Sequence, residues 1–169
     1  VSTAGSGSRG RPGKLLGLDV GRARIGVATC DPLGITVRPL AVLRRRSREA
    51  DFEALARLVE QEGAQAIVCG LPLNMDGSEG PQAREVRRWA RRLARALAAR
   101  LGRSVPIVLW DERLSTFEAQ ELRASGGGSA RGAPDDAVAA AVILRSYLDA
   151  LARGEPVEER FGRIETHVP

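Results

Sequence analysis

Histidine occurs once, at His167, and cysteine twice, at Cys30 and Cys69. With a single imidazole close to the end of the sequence, a Ser-His-Asp triad, a Cys-His pair or a histidine-rich zinc site has no material. Both cysteines lie inside apolar runs, where a free thiol behaves as a small hydrophobe, so no disulfide framework is expected and the chain reads as an intracellular, cytoplasmic protein. Aromatic residues make up 4%, too few for a base-stacking platform, so any nucleic acid would be recognised through backbone or shape. A Walker A sequence is absent, which disfavours P-loop nucleotide hydrolases. No stretch approaches the roughly 20 apolar residues that span a bilayer. Residues 1–13 are rich in Gly, Ser and Arg without the apolar segment of a signal peptide, and no membrane partner is expected.

Lysine is as scarce as histidine. Lys14 is the only one, and arginine supplies the remaining 25 of 26 basic residues against 21 acidic ones, for a formal charge of +5. A basic surplus favours a polyanion, because neutralising phosphates releases condensed counterions. The near-exclusive use of arginine, in a chain crowded with Ala and Gly, also fits a general compositional bias. The 169 residues suit one domain that buries about two-thirds of its unfolded surface.

The expected organisation is a flexible segment over 1–13, one domain over 14–153 and a mobile tail over 154–169. Residues 14–19 form an apolar run ending in Asp19, as a buried strand would at the sheet's edge. Strands over 24–30 and 35–43 follow, separated by a turn at 31–34. Helical spacing predicts helices over 49–62, ended by Gly63, and over 81–101, with short strands at 66–71 and 105–110. Arg84, Arg88, Arg91, Arg92 and Arg95 fall on the outer face of the second helix, either solvated or facing phosphate. Ser115 and Glu118 form a capping box opening a short helix to about 125, residues 126–134 a flexible loop, and 135–153 the last helix. The result is an α/β fold with a five-stranded mixed sheet, three antiparallel strands followed by two in α/β alternation, flanked by helices.

Three acids stand where core elements meet solvent: Asp19 ending the first strand, Glu112 after the fifth, and Asp136 opening the last helix. Ligands gather beyond strand ends in such sheets, so these carboxylates can converge and hold a hard divalent cation, Mg²⁺ or Mn²⁺. Each also has an ordinary reading. Asp136 suits a helix cap, and Glu112 a surface pair with Arg113. Asp19 is hardest to explain that way, because a carboxylate beside a central strand is costly to desolvate without a cation.

The run Leu16-Gly17-Leu18-Asp19-Val20-Gly21-Arg22-Ala23-Arg24-Ile25-Gly26-Val27-Ala28 resembles the opening motif of the YqgF/RuvX family. Gly70-Leu71-Pro72-Leu73-Asn74-Met75-Asp76-Gly77-Ser78 resembles its second motif and Asp111-Glu112-Arg113-Leu114-Ser115-Thr116 its third. Asp136 with Ala139-Ala140 and Ile143-Leu144-Arg145-Ser146-Tyr147-Leu148 resembles the fourth. The four occur in family order across most of the chain. The resemblance implies a ribonuclease-H-like fold and carries Asp19, Glu112 and Asp136 over as an acidic, metal-binding triad. It also implies hydrolysis of phosphodiester bonds in structured nucleic acid. Two such activities are linked to the family: resolution of recombination (Holliday) junctions, and maturation of the 5′ end of precursor small-subunit ribosomal RNA. A two-ion arrangement would suit that chemistry. A symmetric double cut would most simply use a homodimer.

From chemistry, Arg22 and Arg113 beside the carboxylates are candidates to hold phosphate oxygens, and Asn74 and Ser78, before the second helix, to receive another phosphate. Residues 126–134 hold one charge, Arg131, where the family often has more. Two other readings use the same residues. Leu-Gly-Leu-Asp-Val-Gly also resembles the first phosphate loop of the actin, Hsp70 and sugar-kinase superfamily, whose members need a second lobe that this length does not supply. A non-catalytic RNA-binding or ribosome-assembly factor would keep the fold for docking alone.

Overall fold

The structure, a computed structural model, describes residues 12–115 and 135–168. Strands β1 (Leu15–Val20), β2 (Arg24–Cys30) and β3 (Val37–Arg44) form an antiparallel meander. Helix α1 (Arg48–Glu62) crosses to β4 (Ala66–Leu71), and α2 (Pro81–Leu101) to β5 (Ile107–Asp111), each strand parallel to its inner neighbour. A 3₁₀ turn (Glu112–Ser115) follows β5, and the long helix α3 (Asp135–Ala152) covers the opposite face.

Local chemistry sets the boundaries. The Ser47 hydroxyl accepts the Ala50 amide at the start of α1, and Gly63 ends it in the left-handed region at φ 64°,. Pro81 opens α2 at a position where a missing N–H costs nothing,. Strand β3 begins at Val37 rather than at 35 because the Asp31 carboxylate accepts the Ile35 and Thr36 amides at 2.7 Å each, holding both residues in the turn. Strand β5 begins at Ile107 rather than at 105, after a proline that has no N–H to offer the ladder,.

The strand order is β3-β2-β1-β4-β5-β6, six strands instead of five. The sixth arises in the segment expected to be a tail: after helix α4 (Val157–Phe161), β6 (Arg163–Ile164) pairs antiparallel with Ile107 and Val108. Phe161 stacks edge-on against Trp110 at 5.9 Å, Val157 is buried, and Arg87 of α2 donates to the Phe161 carbonyl. Two residues are too few to show strand alternation in a sequence. The short helix expected over 115–125 is replaced at its start by the 3₁₀ turn; its remainder, the loop 126–134 and the segment 1–11 lie outside the described residues.

Alternation along β1 divides the core. Leu16, Leu18 and Val20 face α1 and α2 with Phe52, Leu55, Trp89 and Leu93, while Leu15 shares the other face with Trp110, Leu144 and Tyr147 of the α3 layer,. Asp19, in step with Leu15 and Gly17, therefore faces α3. Both cysteines are free and buried. No helix among the described residues is long and apolar enough to cross a membrane.

Candidate active site

Asp19 lies at the C-terminal edge of β1, between two glycines. Across the antiparallel ladder its partner is Gly26. On the parallel side Leu18 pairs with Cys69, so Gly70 is the next residue along β4. Neither neighbour has a side chain, and the other two acids enter over those gaps. A β-carbon on Gly26 would lie 1.8 Å from the Asp136 carbonyl oxygen, and one on Gly70 would lie 2.7 Å from both Cγ and Oε1 of Glu112. Gly17, two residues before Asp19, is covered in the same way by Ala140 and Leu144 of α3.

Glu112, brought round by the turn after β5, donates a carboxyl hydrogen bond to Asp19. Burial, then the negative charge of Asp19, then that hydrogen bond push the Glu112 carboxyl up to about 8,. Burial also raises Asp19; the bond from Glu112 opposes this, and the charge of Asp136 adds to it. Two carboxylates facing each other in a desolvated site lack compensating charge, which favours protonation of one of them. Asp136, in the first turn of α3, directs Oδ2 to Arg24 Nε at 2.8 Å, both side chains being partly exposed. As the side chains stand, no group of three His, Cys, Asp or Glu among the described residues could hold a metal ion.

The remaining candidate residues separate. Arg22 is exposed in the β1–β2 turn, where Gly21 donates to the Arg24 carbonyl at 2.9 Å. The Asn74 amide donates to the Ser78 hydroxyl at 3.0 Å, and that hydroxyl donates to Asp76 at 2.6 Å, which closes the loop before α2. Arg113 has acceptors at all three nitrogens: both oxygens of buried Asp111, and the Asn74 and Met75 carbonyls. It pins the 74–78 loop to the end of β5 on the face away from Asp19. Cys69, beside the acids, is no nucleophile: burial and the charges of Glu112 and Asp19 hold its thiol far above its ordinary range,.

Reasoning from sequence passed over Arg24, Asp111 and the three glycines. The glycines did carry a signal, since an isolated glycine inside a strand marks close approach of another backbone. Arg24 carried none, being one arginine among many.

Residues 13–150 match the RuvX family, described as Holliday junction resolvase. A protein of Anaeromyxobacter sp. (strain Fw109-5), named "Putative pre-16S rRNA nuclease", is 51% identical over 138 residues, 80% of this chain and 96% of its own length. One of the same name from Synechococcus elongatus is 45% identical over 152 residues, 89% of this chain and 95% of its own. Among solved structures, Thermus thermophilus RuvC in complex with Holliday junction substrate aligns with a TM-score of 0.61 at 14% identity, covering 84% of this chain and 96% of that one. At that identity the likeness shows the fold alone, the ribonuclease-H-like architecture.

Proposed function

Because the chain belongs to the RuvX family, we propose that it is a metal-dependent nuclease that hydrolyses phosphodiester bonds in structured nucleic acid, with precursor small-subunit ribosomal RNA as its substrate class. The observation that carries this is the meeting of Asp19 with Glu112 at a sheet edge, with Asp136 entering beside them over Gly26. The names of the relatives at 45–51% identity support the RNA assignment.

The donor set fits a hard divalent cation. All three donors are carboxylates, and two of them crowd charge that a cation would relieve, although Asp136 is turned to Arg24 and would have to swing toward the pair to join them,. Mg²⁺ or Mn²⁺ held by Asp19, Glu112 and Asp136 would supply Lewis acidity and charge for attack of water on a phosphodiester. The protein's own groups do the rest. Asp19 and Glu112 would offer the cation oxygens from fixed backbone positions. Arg24 holds Asp136 at the rim, from where its carboxylate would have to turn inward to join the other two. Arg22 is free to take a phosphate oxygen, Asn74 and Ser78 order the loop that receives a second phosphate, and Arg113 keeps that loop against β5.

The test offers a precursor ribosomal RNA fragment and a four-way DNA junction to the protein with Mn²⁺, each against Asp19→Asn. RNA cleavage that the substitution abolishes is the expected result. Junction cleavage alone would replace the substrate. Binding of either without cleavage would leave a non-catalytic assembly factor as the better account.

A further inference from the structure

On the face of the sheet opposite the acids, a cleft of about 410 Å³ opens between the β1–β2 turn, the start of α1 and the side of α2. Arg22, Arg45, Arg48, Arg88 and Arg92 line it, with Glu85 the sole acid. Surplus arginine does not by itself make a site. Elsewhere Arg24, Arg57, Arg87, Arg113 and Arg145 pair with a carboxylate, while Arg91, Arg95 and Arg100 are exposed and unpaired among the described residues; what marks the cleft is that its arginines face one concavity. In the cleft only Arg45 has an acid partner, Asp51 at 3.8 Å, and it also donates to the Gly21 carbonyl. Arg22, Arg48, Arg88 and Arg92 are exposed and have no ion pair or hydrogen bond among the described residues. They come from three separate elements yet face one concavity, where a single carboxylate, Glu85, offsets only part of their mutual repulsion,.

A second observation concerns Trp89, which also lines the cleft. Trp89 is 6% exposed and its Nε1–H has no acceptor among the described residues. The other tryptophan, Trp110, donates to the Ser146 hydroxyl at 3.1 Å. Buried indole N–H groups ordinarily find a partner. The Arg45 guanidinium stands 6.0 Å from the Trp89 ring centre, so a ligand that draws Arg45 aside changes the surroundings of that indole.

We propose that this cleft is a second backbone-binding site, which grips phosphates of the same polynucleotide on one side of the scissile bond. The inference rests on the nucleic-acid reading above and adds where the strand runs. Asp19 and Val20 are consecutive residues on opposite faces of β1, one toward the acids and the other lining the cleft. A strand leaving the acids therefore passes over Arg22 at the β1–β2 turn and enters the cleft. Exposed guanidinium groups spread over three elements suit successive phosphates of a chain better than one enclosed anion, which calls for converging backbone amides.

The test measures affinity for an RNA hairpin across a range of salt concentrations, using full-length Asp19→Asn protein so that cleavage is not needed. Arg88→Ala with Arg92→Ala is compared with Arg84→Ala with Arg95→Ala, which removes the same charge from the same helix outside the cleft. The cleft pair should reduce the slope of log affinity against log salt by about 1.4–1.8, roughly 0.7–0.9 for each phosphate contact; the control pair should leave it unchanged. Equal effects from both pairs would overturn the proposal, as would an unchanged slope in the cleft pair. In a ¹⁵N spectrum, the Trp89 indole signal, assigned by its loss in Trp89→Phe, should move on adding hairpin. Displacement of the hairpin by a free nucleoside monophosphate at equal concentration would assign the cleft to a small phosphate ligand and also overturn the proposal. A protein that binds in this way and cuts nothing would sink the nuclease reading and leave the cleft standing.

Discussion

The carbonyl of Asp136 rests directly on Gly26, so closely that a β-carbon there would lie 1.8 Å from it. Gly26 is also the ladder partner of Asp19. One contact between backbones therefore sets how far the acid of α3 stands from the acid of β1.

Gly26→Ala should accordingly be severe. The obstructing atoms are backbone, so α3 as a whole must lift, and at least about 3 kcal/mol of stability should be lost, the upper end for overpacking. A shift in the urea midpoint with unchanged slope would measure it. A loss below about 1 kcal/mol would mean that α3 is not seated as described.

Gly70→Ala should behave differently, since its new methyl meets the Glu112 side chain and the tip of Ile143. Both can rotate away, at a cost of about 1–2 kcal/mol. The displaced Glu112 no longer reaches Asp19, and cleavage should fall by far more than stability. Full activity in a folded Gly70→Ala protein would remove Glu112 from the mechanism.

Metal-free protein should lose stability as pH rises. Glu112 titrates near 4.5 when unfolded and near 8 when folded. Between those values the folded state holds more protons than the unfolded one, so unfolding free energy declines across the interval and is flat with respect to this group outside it. Glu112→Gln should remove that part of the slope. Parallel stability profiles for the two proteins in chelator would refute the assignment.

Asp19→Asn should stabilise the metal-free fold while abolishing cleavage, because it replaces a poorly solvated carboxylate facing another acid. A gain of about 0.5–2 kcal/mol is expected, typical of relieving a strained functional site. Thermal unfolding in chelator would show it as a higher midpoint, and a lower midpoint would contradict the charge crowding described.

Arg113→Ala should lower the denaturant midpoint, because Asp111, whose side chain is 2% exposed, loses the guanidinium that serves both its oxygens,. Arg113→Lys should recover only part, because one ammonium cannot serve both Asp111 oxygens and two carbonyls. If denaturant midpoints were unchanged in Arg113→Ala, the clamp on the 74–78 loop would have no energetic weight.

The long elements were legible in the sequence because their patterns are long: α2 shows five turns of amphipathic spacing, and β1 is an unbroken apolar run. Asp19, Glu112 and Asp136 stood out through their places at element ends. The tail was misread because β6 is two residues long and its support, Phe161 on Trp110 and Arg87 on the Phe161 carbonyl, joins segments far apart in the chain. Arg113 is next to Glu112 in sequence, but in the 3₁₀ turn that follows β5 its guanidinium reaches back to Asp111 and to the 74–78 loop, a contact that adjacency alone does not show.

The dependence of the site on α3 reaches back to synthesis. While a ribosome has released the chain only as far as β5, the sheet can pair, but the face bearing Leu15, Val68 and Trp110 lies bare and the third acid is still inside the exit tunnel. The nascent protein thus carries an apolar surface in need of shielding and only part of its acidic cluster. Docking of one late helix closes the first exposure and supplies the missing acid in the same event, so the acidic cluster is complete only once the last long helix has been added.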